Sequence, residues 1–290
     1  MAYEITLLTT MAISVLFALS LNFLTGFCGQ ISLGHAAFMG VGAYTSALLM
    51  KAGVPFLATL PVSAFTAGFF GLFVGFASLR VRNDFLAITT MGVVFLFVGI
   101  VRQQDILGGE NGISSIPSSP LGREGFMYLC LMFAVIFGGF SIIVKKSWMG
   151  FVFDSIADNE DVSRILGIDV NRYKLIAFVI GTAVAGVAGG LYAQHYRFVS
   201  VESFGFVESI SVLAMVILGG VGSVTGVAIS AALLSILPML IQFVDDYKVL
   251  VYSSLLFIVV RFSPDGLAGI FRSLYNKLTS KNNAANSRSE

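Results

Sequence analysis

The sequence predicts an all-α polytopic membrane protein, a bundle of about 8–10 transmembrane helices with some broken or re-entrant segments. Hydrophobic residues make up 57% and charged residues 11% of the 290 residues, and the mean hydropathy is +0.90. Soluble domains are about 45–50% apolar and about 25% charged. Glycine, common in membrane helices, occurs 31 times. This composition excludes a cytosolic enzyme, a nucleic-acid-binding protein and a disordered chain.

Apolar runs follow one another along the chain, and each predicts one membrane segment. A spanning helix needs about 20 mostly apolar residues, or fewer where neighbours protect it. The runs at 35–50, 207–220 and 249–260 are short, so we interpret them as candidates for broken or re-entrant segments. No basic segment precedes the first run, and we expect a retained helix there rather than a signal peptide. The runs lie at 5–24, 35–50, 56–79, 86–101, 126–144, 175–193, 207–220, 223–243 and 249–260.

The distribution of charge predicts the orientation. If segment 80–84, loop 145–174 and the polar end of the chain face the cytoplasm, 12 of the 17 Lys and Arg residues lie there, as the positive-inside rule requires. The N-terminus and the polar linker 102–125 then lie outside, and about nine crossings follow. We expect a transmembrane domain over residues 1–270 and a partly disordered cytoplasmic tail over residues 271–290.

Loop 145–174 holds charges of both signs around a short apolar pattern. Residues Asp154 to Gly167 predict an amphipathic helix that ends at the glycine. Mixed charge disfavours a purely electrostatic lipid-binding patch. We favour a docking helix for a cytoplasmic partner over a solvated connector.

A polar, glycine-rich stretch separates the first two apolar runs. Such a break is tolerated at membrane depth only where it is buried in protein or lines a cavity, and broken helices of this kind form translocation sites. A simple extramembrane turn is the alternative. Glu208 is a further candidate, either a substrate contact or gate, or a solvated helix end. The candidate pathway residues are Asn22, Gly26, Gly29, Gln30, Ser32, Gly34, His35 and Glu208.

Other signals favour structural roles. The run 219–226 looks like a phosphate loop but has no following Lys, so a tight helix–helix turn is the better interpretation. His35 and His195 lack ligands at metal spacing, and helix-end histidines are favoured over a metal or proton-relay role. The glycine pairs Gly71/Gly75 and Gly222/Gly226 predict close helix packing. We therefore expect no catalytic constellation, no metal and no bound cofactor in this chain.

Several stretches together resemble the branched-chain amino-acid ABC transporter permeases of the LivH/LivM type, and the LivM type in particular. One stretch runs from Leu21 to Phe38 and continues through Gly40, Gly42 and Tyr44. The others, in the same order as in that family, are 79–90, 108–117, 157–178, 212–223 and 261–267.

The resemblance implies one permease subunit of a binding-protein-dependent importer in a bacterial inner membrane. It implies a LivH-like partner permease, two cytoplasmic ATPase subunits that use ATP, an external binding protein for leucine, isoleucine or valine, lipid contact and no nucleic acid. Related permeases carry urea or other small amides, and a stand-alone channel is a further alternative. The family's coupling loop corresponds to Asp154–Ile168, with Asp154, Ala157, Asp158, Asn159, Glu160, Arg164, Leu166 and Gly167 as the coupling residues.

Overall fold

The computed structural model describes residues 2–78, 83–119, 121–241 and 247–262, together with Gly266 and Gly269. Within these ranges the chain is helical apart from turns, short 3-10 segments and one isolated bridge between Ile113 and Val199. The helices are α1 Ala2–Cys28, α2 His35–Lys51, α3 Phe56–Ser78, α4 Asn83–Gln103, α5 Gly122–Lys146, α6 Trp148–Asp158, α7 Glu160–Ile165, α8 Val170–Tyr196, α9 Phe206–Gly219, α10 Val224–Leu240 and α11 Lys248–Phe262.

Membrane-spanning length divides these helices into two groups. In the described part of the chain, six segments are long and apolar enough to cross a bilayer, and parts of α10 and α11 form shorter apolar helices. The six are Tyr3–Cys28, Phe56–Ala77, Phe85–Gln103, Gly122–Lys146, Val170–Tyr196 and Val201–Gly219. The all-α polytopic prediction is confirmed. Two of the runs expected to be short form the short helices α2 and α11, whereas the run at 207–220 forms α9, which together with the preceding 3-10 turn reaches spanning length. Arg80, Arg82 and the tail 271–290 lie outside the described residues.

The two 27-residue helices, α1 and α8, form the centre of the bundle. Helix α8 packs against α1, α2 and α3, and α1 also packs against α5, α9 and α10. Small residues allow these contacts: a Cβ on Gly189 would lie 2.7 Å from the backbone nitrogen of Ala43. Gly71 packs against Thr182 of α8 and Gly75 against Phe178, which confirms a packing role for that pair.

The chain direction alternates, and this fixes which loops share an end of the bundle. The C-terminal end of α1 meets α6 at Ala157 and the α9–α10 turn at Gly222. Gly266, which follows α11, lies against Gly220 of the same turn. We call this end the coupling end, after the coupling loop that the family resemblance implies for this part of the chain. The opposite, distal end carries Lys51, Arg102, Arg123, Arg197 and Lys248 at helix termini.

Candidate functional site

The segment between α5 and α8 folds as two short helices rather than the single predicted helix. Helix α6 already begins at Trp148, and Asn159 interrupts the pattern with extended backbone. The Asn159 side-chain oxygen accepts hydrogen bonds from the N–H groups of Asp161 and Val162 at 3.0 and 3.1 Å. An asparagine that caps a new helix ends the preceding one, and this is why a continuous helix from Asp154 to Gly167 was wrong. The predicted end is correct, since Gly167 has a φ of +84° just after α7.

Ion pairs attach this segment to the bundle. Lys174 of α8 is almost buried and pairs with Glu160, whose carboxylate also lies 3.6 Å from Arg164. Lys145 at the end of α5 pairs with Asp154 at 2.5 Å. The Lys145 ammonium also lies 5.1 Å from the centre of the Phe27 ring at the end of α1. Loop charges therefore link α1, α5, α6, α7 and α8.

The outer face of α7 is apolar and exposed. Ile165 is 85% exposed and Leu166 69%, and Val162 on the preceding turn is half exposed. Buried Ser163 instead faces α6, and its hydroxyl lies 2.8 Å from that of Ser155. Exposed apolar side chains framed by charges are typical of protein–protein contact surfaces. We call Val162, Ile165 and Leu166 the docking patch.

The non-helical part of the glycine-rich break is shorter than the sequence predicted. After this break the chain turns back into the bundle. Helix α1 continues through Gly26 to Cys28, so only residues 29–34 are non-helical. His35, the first residue of α2, has its Nε2 2.8 Å from the hydroxyl of Ser20. Because Ser20 lies about 12 Å along α1 from Cys28, α2 begins well inside the bundle. Gln30, Ser32 and His35 are buried, as a break at membrane depth requires.

Main-chain groups of the break are satisfied by side chains from other helices. The Leu33 N–H donates to the Thr90 hydroxyl at 3.1 Å, and the Ala36 N–H donates to the Ser209 hydroxyl at 3.1 Å. The Thr25 hydroxyl donates to the Gln30 carbonyl at 3.0 Å. The break and the first turn of α2 are thereby fixed to α1, α4 and α9, with Gln30 and Ser32 buried and Ile31 half exposed.

The break touches the α6–α7 segment directly. Gly29 has a φ of +69°, and a Cβ there would lie 3.3 Å from the Cα of Ala157. One turn further into the bundle, the rings of Phe23 and Phe153 meet edge to face with centroids 6.0 Å apart. Helix α6 therefore contacts both the end of α1 and the start of the break.

The phosphate-loop-like run forms the turn between α9 and α10, as expected. Its Gly222 N–H donates to the buried Asn22 side-chain oxygen at 2.9 Å. A Cβ on Gly26 would lie 2.5 Å from that same nitrogen. Asn22 and Gly26 thus hold a helix–helix contact between α1 and this turn.

A cavity of about 460 Å³ lies among α1, α2, α8, α9, α10 and α11. Thr10, Ser14 and Phe17 line it from one face of α1, and Glu208 from the first turn of α9. Phe17 also stacks on His35, with ring centroids 5.5 Å apart. We call this the inner cavity. Its full lining is Thr10, Ile13, Ser14, Phe17, Met39, Tyr192, Tyr196, Ser203, Glu208, Met215, Ser235, Pro238, Met239 and Tyr252.

A proline inside α10 shapes one wall of the inner cavity. Pro238 has no N–H, so the Leu234 carbonyl one turn earlier loses its usual helical donor. The Tyr252 hydroxyl of α11 donates to that carbonyl at 2.7 Å. This hydrogen bond attaches α11 to the proline-containing turn of α10.

A second cavity, of about 570 Å³, lies toward the distal end. Arg123, Arg197, Gln194 and His195 are among its lining residues. Tyr196 lines both cavities, and the hydrogen bond between Thr10 and His195, at 3.2 Å, joins a lining residue of each. The two cavities are thus neighbours along the distal half of α1.

The structure separates the predicted pathway residues into two groups. Glu208 lines the inner cavity, whereas Asn22, Gly26, Gly29 and the other break residues lie between α1 and its neighbours. No site role was predicted for Lys145, Lys174, Phe153 or Tyr252. The i, i+4 spacing of Thr10 and Ser14 was an available signal for a polar strip on α1.

These features define a multi-pass α-helical membrane component with a partly open cavity between its helices and an exposed apolar patch at one end. A family model described as branched-chain amino acid transport system / permease component matches residues 4–260. The chain is 34% identical to the high-affinity branched-chain amino acid transport system permease protein LivM of Escherichia coli K12, across 96% of this chain and 72% of that protein.

Other relatives agree. The chain is 27% identical to the corresponding permease protein BraD of Pseudomonas aeruginosa PAO1, across 90% of this chain and 93% of the relative. It is 26% identical to LivH of Escherichia coli K12, across 88% of this chain and 90% of the relative. No solved structure gives a significant match. The chain belongs to the branched-chain amino acid transport permease family, and its prediction as a LivM-type member is confirmed.

Proposed function

We propose that this chain is the LivM-like permease subunit of an ABC importer for leucine, isoleucine and valine. The observation that carries the proposal is the 34% identity to LivM over 96% of this chain. The similarity to LivH supports pairing with a second, LivH-like permease. An external binding protein delivers the amino acid, and two cytoplasmic ATPase subunits hydrolyse ATP. This chain binds no cofactor of its own.

The charge distribution supports a bacterial inner-membrane orientation with the coupling end in the cytoplasm. Lys145, Lys146, Arg164, Arg172 and Lys174 lie at that end. The positive-inside rule places such a cluster on the cytoplasmic side, and the N-terminus then lies outside.

The docking patch supports contact with an ATPase subunit. Ile165 and Leu166 expose apolar surface at the coupling end. The ion pair between Glu160 and Lys174 fixes α7 to α8. When the ATPases close, α7 and α6 move together because Ser155 and Ser163 join them. The motion reaches α1 through Ala157 and Phe153, and then the inner cavity through Phe17.

Co-purification and ligand-stimulated ATP hydrolysis test the proposal. The tagged chain is isolated with its neighbouring gene products, and ATP hydrolysis is measured with the binding protein loaded from a panel of amino acids and urea. We expect stimulation by branched-chain amino acids. Stimulation by urea alone would overturn the substrate assignment, and uptake by the purified chain alone, without ATP or binding protein, would favour a stand-alone channel.

A further inference from the structure

We propose that the inner cavity is a transit site for a zwitterionic aliphatic amino acid, in which Glu208 holds the substrate ammonium group. This inference rests on the proposed function, because it assigns a place in the membrane to the substrate of that importer. It names a cavity and a residue that similarity along the chain does not identify.

The size of the inner cavity fits a small ligand. Binding cavities for small molecules are typically about 300–1,000 Å³. The inner cavity, at about 460 Å³, lies at the lower part of that range. It has room for one amino acid with a few water molecules.

The charge in the inner cavity is of one sign. Among the described residues that line it, Glu208 alone carries a formal charge. An ammonium group leaving water for the membrane interior needs an anionic partner, since an isolated charge there is strongly unfavourable. A half-buried carboxylate beside an open volume supplies that partner.

The remaining lining matches the other parts of an amino acid. Met39 and Met215 give an apolar wall, and flexible thioether side chains adapt to aliphatic groups of different branching. Ser14 and Tyr196 also line the cavity, and a hydroxyl group can donate a hydrogen bond to a carboxylate. An apolar wall, hydroxyl groups and one carboxylate together favour the binding of a neutral aliphatic amino acid. Urea has neither an ammonium group nor an aliphatic chain, so it matches this lining less well.

A structural role for Glu208 makes a different prediction. Glu208 is the third residue of α9, a position where Glu and Gln both satisfy the helix start. If Glu208 only supports α9, Glu208→Gln leaves transport intact. If Glu208 holds the ammonium group, the same change removes the charge while the helix start is kept.

The first test measures leucine uptake and ATP hydrolysis together. The complete importer is reconstituted in proteoliposomes with the loaded binding protein. For Glu208→Gln we expect a loss of leucine uptake of about tenfold to a hundredfold, because a charged hydrogen bond is lost. ATP hydrolysis stimulated by the binding protein continues. Glu202→Gln, an exposed acid outside the cavity, should leave both rates unchanged.

The second test measures substrate protection directly. Ser14→Cys places a thiol on the cavity wall, while the native Cys28 and Cys130 are buried and give little background. During turnover with leucine we expect thiol labelling at this position to fall at least about threefold, because an occupied cavity excludes the reagent. Ser114→Cys, exposed in the polar linker between α4 and α5, should label equally with and without leucine.

The outcomes separate the two claims. A wild-type importer that takes up no leucine overturns the proposed function. A wild-type importer that takes up leucine, with Glu208→Gln unimpaired and Ser14→Cys unprotected, overturns the transit site alone. Equal loss of uptake and of ATP hydrolysis in Glu208→Gln also overturns it, because that pattern reports damage to α9.

Discussion

The α6–α7 segment and the inner cavity differ in the interactions that hold them together. The segment is held by ion pairs such as Lys145–Asp154 and presents exposed Ile165 and Leu166. The cavity is held by helix packing and hydroxyl groups, and Glu208 is the charged residue among its described lining. A charged side chain at the membrane surface costs little free energy. A charged side chain within the membrane is costly and marks a candidate functional site. This difference is what we expect if the segment contacts the ATPase subunits and the cavity contacts the substrate, as proposed above.

The largest expected effect falls on the pair that fixes α7 to α8. Glu160→Gln leaves Lys174 almost buried without its carboxylate, and breaking such a pair costs about 3 kcal/mol. We expect a clear fall in thermal stability of the detergent-purified importer. Asp161→Asn is the matched control, because that side chain is 90% exposed and should change stability little. Equal shifts for both variants would mean that the Glu160–Lys174 pair does not hold α7.

The docking patch should give the next largest effect. Replacement of both Ile165 and Leu166 by Ser removes exposed apolar area, and buried anchors at interfaces contribute about 2 kcal/mol or more. We expect ATPase binding to weaken about 30-fold in a pull-down titration, with an unchanged melting temperature of the permease pair. Ile106→Ser, which removes exposed apolar area at the opposite, distal end, serves as the control. Undiminished ATPase binding would place the interface elsewhere.

The hydrogen bond at the proline turn should give a smaller effect, on the cavity side. Tyr252→Phe leaves the buried Leu234 carbonyl unpaired, at a cost of about 1 kcal/mol. Thermal unfolding of the permease should report this loss, whereas Tyr128→Phe on the exposed face of α5 should not. An unchanged melting temperature for Tyr252→Phe would show that the proline turn does not depend on α11.

The smallest effect is expected at the cap of α7. Asn159→Ala removes the acceptor for two N–H groups, and exposed caps of this kind contribute about 0.5 kcal/mol. Asn159→Asp keeps an acceptor and should behave as wild type. Amide hydrogen exchange over residues 160–165 measures the change, and equal protection in both variants would contradict the capping role.

Apolar runs predicted the membrane helices because a continuous apolar stretch suits a membrane helix whether its side chains face lipid or the bundle interior. The α6–α7 interruption was also present in the sequence, since Asn159 precedes Glu160 and Asp161 as a cap precedes acids in a first turn. The continuation of α1 through Gly26 was not readable, because it depends on packing against Gly222, 196 positions away in the numbering. The inner cavity was equally hidden, since its walls come from Thr10, Met39 and Tyr252 on distant helices.

The central claim is that ATP hydrolysis at the coupling end drives amino acid import through this chain. The most direct measurement is leucine uptake into proteoliposomes that contain both permeases and both ATPases, with and without ATP and the binding protein, for wild type and for the chain with Ser at both Ile165 and Leu166. The account predicts uptake only when ATP and binding protein are both present, and its loss in the docking-patch variant. Leucine uptake that proceeds without ATP, or that survives in the variant at the wild-type rate, would contradict it.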